Sequence, residues 1–193
     1  MRALIDACVL VPDALRRIVL NVAAEGLIAP RWSARIIAEW QHAAARRGPE
    51  AAARAAEAWL AMQAAFPDAT VPPAPEIEAA LRLPDPDDCH VLAAAIAGRA
   101  EAVMTLNHAD FPARVLAAHG LRRESPDSVL HLLWSAGPEA VARAVAAARV
   151  ALPPAEVPQG PAPLRAFLRR AGLPRLGKAM SPRTLPQARF PAP

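Results

Sequence analysis

The first uninterrupted apolar run, Ala3-Leu4-Ile5, predicts a short buried strand that ends on Asp6. Pro12 can open a helix with its fixed φ, Leu15, Ile18, Val19 and Val22 then fall on one helical face, and Gly26 is a stop signal. The opening is therefore a strand-turn-helix unit with a carboxylate at the carboxyl end of the strand. Trp32-Ser33 begins the next unit. Ser33 suits the N-cap of a helix that turns Ile36, Ile37 and Trp40 inward and carries Glu39 in its middle, on or near the buried face.

Pro49 to about Phe66 is Ala-rich and helical by propensity, and Pro67, Pro72, Pro73 and Pro75 break it before a short helix around Glu76–Leu83. Pro84-Asp85-Pro86-Asp87-Asp88-Cys89-His90 is a turn that starts the apolar helix Val91–Ala97, and Ala102–Thr105 reads as a second buried strand. A short helix over 112–119 follows. Ser125-Pro126-Asp127 is the start of a helix bearing Val129, Leu132, Leu133 and Trp134, and Pro138 opens another to about Val150. Beyond 151 prolines are frequent, and only Pro163–Ala171 reads as helical, with Leu164, Phe167 and Leu168 on one face. Strands alternating with helices predict an α/β fold, a central parallel sheet flanked by helices, with a helical, Pro-rich C-terminal extension.

Composition narrows the classes. At 193 residues and 54% hydrophobic the chain can bury one core. Runs such as Val91–Ala97 fall far short of the roughly 20 apolar residues that cross a bilayer, and the amino terminus lacks a signal-peptide pattern, so the expectation is a cytoplasmic protein with no membrane partner. Cys8 and Cys89, without a CxxC pair and with scattered histidines, make neither a zinc site nor a disulfide framework. The pI of about 10.3 suggests nucleic acid, but the charge is uneven. Residues 151–193 hold seven basic side chains against Glu156 alone, a net of +6, which leaves −2 on residues 1–150.

Functional groups in a parallel sheet gather at its carboxyl edge, where Asp6, Asn107 and Asp110 follow strands, Asp87 and Asp88 begin a helix, and Glu39 lies on a helix able to face them. Carboxylates repel one another unless a cation joins them, and hard oxygen donors select Mg²⁺ or Mn²⁺. The competing reading makes Asp87 and Asp88 ordinary helix caps. Other chemistries have less support. Cys8 lacks an arginine six residues on, where Ala14 stands, and Cys8 itself occupies the place of a second aspartate two after Asp6. Both cysteines read as small buried groups and His90 and His108 as neutral polar neighbours. Trp40 reads as core, while Trp32 is open between core and base stacking. Arg31 and Arg35 are candidate phosphate contacts.

Four segments, Leu4-Ile5-Asp6-Ala7-Cys8-Val9-Leu10, Arg31 to Trp40, Asp85 to Ala95 and Val103 to Pro112, stand in an order that resembles PIN-domain ribonucleases, specifically VapC-like toxins of type II toxin–antitoxin pairs. The resemblance implies a nuclease domain over 1–135, followed by a helical extension and basic tail over 136–193. It also implies a metal-dependent endoribonuclease in which Asp6, Glu39, Asp88 and Asp110 hold Mg²⁺ or Mn²⁺. The third acid falls on Asp88, with Asp87 as its alternative, and Thr105 and Asn107 fill supporting polar positions. RNA as substrate, a cognate antitoxin and a homodimer are implied as well, against the runner-up of a non-cleaving RNA- or protein-binding module. The tail has three readings: RNA contact, docking of its apolar face on the body or a partner, or, for Ser181–Pro193, a solvated and partly disordered extension.

Overall fold

The structure, a computed structural model, describes residues 1–159 and 162–181. Five strands, β1 (Arg2–Ile5), β2 (Ala29–Ser33), β3 (Thr70–Val71), β4 (Ala102–Met104) and β5 (Arg122–Glu124), form one sheet in the order β3-β2-β1-β4-β5, with every neighbouring pair parallel. All five strands therefore end on the same edge. The direction of winding reverses between β1 and β4, which is where such sheets form a crevice at their carboxyl ends.

The expected strand at Ala3–Ile5 is present with its side chains fully buried. α2 (Asp13–Ala24) buries Leu15, Ile18, Val19 and Val22 as the spacing predicts, and Gly26 stops the chain with φ at 78°. α3 (Ala34–Ala45) is capped by Ser33 Oγ, which accepts from Ile36 N at 3.2 Å. Three strands and two short helices escape the hydrophobic pattern. β2 contains Pro30, which argues against a central strand. Ala29 N donates to Met1 O toward β1 and Trp32 N to Ala69 O toward β3, so alternation turns Pro30 toward β3, which is only two residues long and begins opposite Trp32. No ladder bond is lost there. β3 is too short to show a pattern, and the edge strand β5 has the sequence Arg-Arg-Glu. A one-turn helix, α1 (Ala7–Leu10), also joins β1 to α2.

α4 (Pro49–Ala65) packs on α3, and α5 (Pro75–Ala80) packs on α6 (Cys89–Ala97), which follows a 3-10 turn at Pro86–Asp88. α7 (Ala113–Ala118) precedes β5, and α8 (Pro126–Ala136) begins at Ser125, whose Oγ accepts from Ser128 N. α9 (Pro138–Val150) lies along α2, where Asn21 Nδ2 donates to Ala144 O at 3.1 Å. Leu132 of α8 points to solvent instead of inward, because the helix buries only the stripe through Val129 and Leu130. Trp32 is buried edge-on to Trp59 and Phe66, with ring centroids 6.1 Å apart in each pair, so it is a core residue and not a base-stacking platform.

The extension contains α10 (Pro163–Arg170), as expected, and also α11 (Pro174–Met180), so Pro163–Ala171 is not the sole helix beyond 151. Pro163 and Pro174 each sit at the first position of their helix, where the missing N–H costs nothing. Phe167, Leu168, Leu173 and Leu176 are buried, which places the apolar face on the body of the same chain. Asp127, 8% exposed, accepts from the backbone N–H groups of Arg175 and Leu176 at 3.0 Å each and so caps α11 from α8. The expectation for Ser181–Pro193 concerns a stretch that from 182 lies outside the described residues. No helix among the described residues is long and apolar enough to cross a membrane.

Candidate metal centre

Asp6 is placed by the sheet. Its backbone N–H donates to Met104 O, extending the β1–β4 ladder by one bond, and its side chain leaves the edge beside the β4 end. It occupies the N-cap position of α1 without making a capping bond, so its carboxylate is free for other work. Thr105 Oγ1–H donates to Asp6 Oδ2 at 2.6 Å, and the Cys8 thiol donates to the same oxygen at 3.1 Å. Thr105 Oγ1 in turn accepts from Asn107 N at 2.9 Å. Asp6 is 6% exposed and Thr105 fully buried, so this chain of bonds fixes one carboxylate oxygen.

Asn107 organises the facing acids. Its Nδ2 donates to Asp110 Oδ2 at 2.7 Å and to Asp88 Oδ2 at 3.2 Å, drawing the loop after β4 and the start of α6 together. Asp88, like Asp6, occupies an N-cap position without capping. The capping work is done by Asp85, whose Oδ1 accepts from Asp87 N at 2.9 Å. Asp87 itself is exposed and makes no bond to this group through its side chain. Carboxylate oxygens of Asp85, Asp88 and Asp110 lie within 4.8 Å of one another. Asp85 is the member that the strand and helix pattern does not single out. Its signal is local: an aspartate before proline at the head of a turn, facing the same crevice as Asp88.

Glu39 departs from expectation. Its side chain is 41% exposed, because a residue one before Trp40 lies to the side of the stripe made by Ile36, Ile37 and Trp40. His90 Nε2 lies 2.9 Å from its Oε1 and Arg35 Nε lies 3.4 Å from the same oxygen. His90 is 5% exposed, and burial, with Arg35 nearby, pushes its pKa down to about 4, so the ring is neutral. The cost of an unpaired buried charge therefore does not arise at Glu39, although partial burial still raises its pKa.

The electrostatics fit a divalent cation. Asp88 is pushed up to about 6, first by burial and then by the charges of Asp6, Asp85, Asp110 and Glu39. Among the described residues no arginine, lysine or histidine pairs with Asp6, Asp85, Asp88 or Asp110. Hard oxygen donors that repel one another and lack a protein counter-charge suit Mg²⁺ or Mn²⁺. The Cys8 thiol, pushed up to about 12 by burial and by Asp6, stays protonated and is no nucleophile.

Both candidate phosphate contacts make bonds within the protein. Arg31 donates to the Pro30 carbonyl at 2.9 Å, while Arg35 pairs with Glu78 at 3.2 Å as well as Glu39 and donates to the Asp87 carbonyl. His108 sits in the loop between Asn107 and Asp110, where its carbonyl accepts from Arg123. A family model described as a PIN domain matches residues 2–109. No curated protein and no solved structure matches the chain.

Proposed function

The chain belongs to the PIN-domain family, and from that premise we propose that it is a metal-dependent endoribonuclease, the toxin component of a type II toxin–antitoxin pair. The observation that carries the reading is the cluster of Asp85, Asp88 and Asp110 carboxylates, linked to Asp6 through Asn107 and Thr105, with no basic partner among the described residues. Asp6, Glu39, Asp88 and Asp110 would hold Mg²⁺ or Mn²⁺, which supplies water activation at neutral pH and offsets charge developing on the phosphodiester during in-line attack.

The chain's own residues prepare that chemistry. Thr105 and Cys8 hold Asp6 Oδ2 and leave its second oxygen unshared by them. Asn107 sets the separation of Asp88 and Asp110, and neutral His90 stands 2.9 Å from Glu39 Oε1 without adding a charge that would compete with a cation. A cognate antitoxin and a homodimer belong to the same proposal.

The test is incubation of the purified chain with pooled RNA and Mn²⁺. Cleavage by the wild type, absent in EDTA and in Asp6→Asn, is the expected result. Wild-type protein that leaves the RNA intact, with Asp6→Asn behaving identically, removes the enzyme and leaves a non-cleaving binding module. The toxin role has its own readout: expression of the chain should arrest growth, and co-expression of a small DNA-binding protein encoded beside it should relieve the arrest.

A further inference from the structure

An edge lined with carboxylates repels a polyanion, and residues 1–150 carry a net charge of −2. Attraction for a phosphate backbone has to be supplied by another part of the chain. α10 turns Phe167 and Leu168 into the core and exposes Arg165, Arg169 and Arg170, while α11 buries Leu176 and exposes Arg175 and Lys178. None of these five cations pairs with a carboxylate among the described residues; in the body Arg16, Arg17, Arg35, Arg54, Arg122 and Arg143 do, while the exposed Arg46, Arg47, Arg82, Arg99 and Arg114, spread over separate elements, do not. Arg165 and Arg169, one turn apart, border a depression of about 270 Å³ whose other walls are Ala162, Ala166 and Pro174, small side chains that leave the guanidinium groups accessible.

The placement of this surface follows from Asp127. That side chain stands three residues past the end of β5 and holds the backbone of Arg175 and Leu176, while Arg175 Nη1 donates to Ser128 Oγ at 3.2 Å. β5 is parallel to β4 and β1, so its end lies on the same edge as Thr105 and Asp6, two strands from β1. At the usual strand spacing that is roughly 10 Å. Arg175 thus stands near the acidic edge, and α10, with Arg165, Arg169 and Arg170, packs on the helix that carries it.

We propose that α10 and α11 form a basic platform for the RNA backbone, with Arg175 next to the acidic edge and Arg165, Arg169 and Arg170 farther along the strand. The identity of the polyanion rests on the ribonuclease reading above; the placement of the cations does not.

The test is binding of a labelled single-stranded RNA to the full chain in EDTA over a KCl series. The triple variant Arg165→Gln, Arg169→Gln, Arg170→Gln is compared with Arg82→Gln, Arg99→Gln, Arg114→Gln, which removes equal charge from exposed body positions. Each phosphate contact on a single strand contributes about 0.7 to the slope of log K against log salt, so the platform variant should lower that slope by about 2 and weaken binding at least roughly tenfold. The body variant should keep the wild-type slope. With Mn²⁺ present, the platform variant should raise KM and keep kcat. An unchanged slope in a platform variant with wild-type circular dichroism overturns the proposal, as does an equal fall in the body variant. Loss of binding to phosphatidylglycerol–phosphatidylcholine vesicles with RNA binding untouched overturns it in favour of an anionic membrane. Reduced slope in a chain that never cleaves RNA leaves the platform and removes the ribonuclease; cleavage with an unchanged slope does the reverse.

Discussion

Asp88→Asn should stabilise the metal-free protein while abolishing its response to metal. The Asp88 carboxyl titrates at about 6 in the folded chain against an ordinary 3.8. Well below 3.8 it is protonated both folded and unfolded and contributes nothing to the difference. Between about 4 and 6 the unfolded chain ionises first, so stability falls as pH rises, and above 6 the full penalty is present. Two units correspond to about 3 kcal/mol without screening. Asp88 is partly solvated, which reduces the expected gain from neutralising it to about 1 kcal/mol. Asparagine keeps an oxygen to accept from Asn107 Nδ2, so the swap removes charge and preserves the bond. In a chain of this size 1 kcal/mol raises Tm by about 2–4 °C. Thermal melts in EDTA should show that gain at pH 7.5 and about half of it at pH 5. Mn²⁺ at a hundred times its Kd adds about 2.7 kcal/mol to a protein that binds it, so the wild type should gain about 5–10 °C and the variant almost none. A variant that melts below the wild type in EDTA at pH 7.5, or gains as much at pH 5 as at pH 7.5, refutes the reasoning.

Two further substitutions probe the supports of the site and of the extension. Thr105→Val keeps the volume but removes the donor to Asp6, in a buried setting, and the acceptor for Asn107 N, in a partly buried one. It should cost about 2–3 kcal/mol in urea unfolding and weaken Mn²⁺ binding about 10- to 100-fold by calorimetry, and wild-type affinity would deny Thr105 a role in orienting Asp6. Asp127→Ala leaves the N–H groups of Arg175 and Leu176 without their acceptor. Stability should fall by about 1–3 kcal/mol, with hydrogen-exchange protection lost first over 174–180, whereas uniform loss across the sheet would mean that α11 is no separate unit.

Elements whose burial is written into consecutive residues were legible from sequence, and those supported by neighbours were not. β1 and β4 are continuous apolar runs, and α2 has an unbroken helical stripe, so pattern alone finds them. β5, Arg-Arg-Glu, is a strand because its backbone completes the β4 ladder, a reason no side chain announces. Asp6, Asn107 and Asp110 were readable as a group because each follows a strand whose parallel partner is identifiable. Asp85 was not, because a turn-capping aspartate uses one oxygen locally and only the fold shows where the other lies. For Glu39 the departure from the expected burial runs in the opposite sense. Its helical position was right, but one residue of rotation separates the buried stripe from its flank.

Arg35 shows why charge type alone does not assign a partner. Spacing places it one turn before Glu39, a geometry equally suited to pairing with that acid and to reaching a phosphate beside it. In the folded chain its guanidinium bridges Glu39 and Glu78. Half-exposed pairs of this kind contribute about 0–1 kcal/mol, less than the energy a divalent cation gains from a carboxylate cluster. A cation at Glu39 would compete with that one pair only, and Arg35 would keep Glu78 and the Asp87 carbonyl, so it is held beside the acids and is not a free phosphate contact.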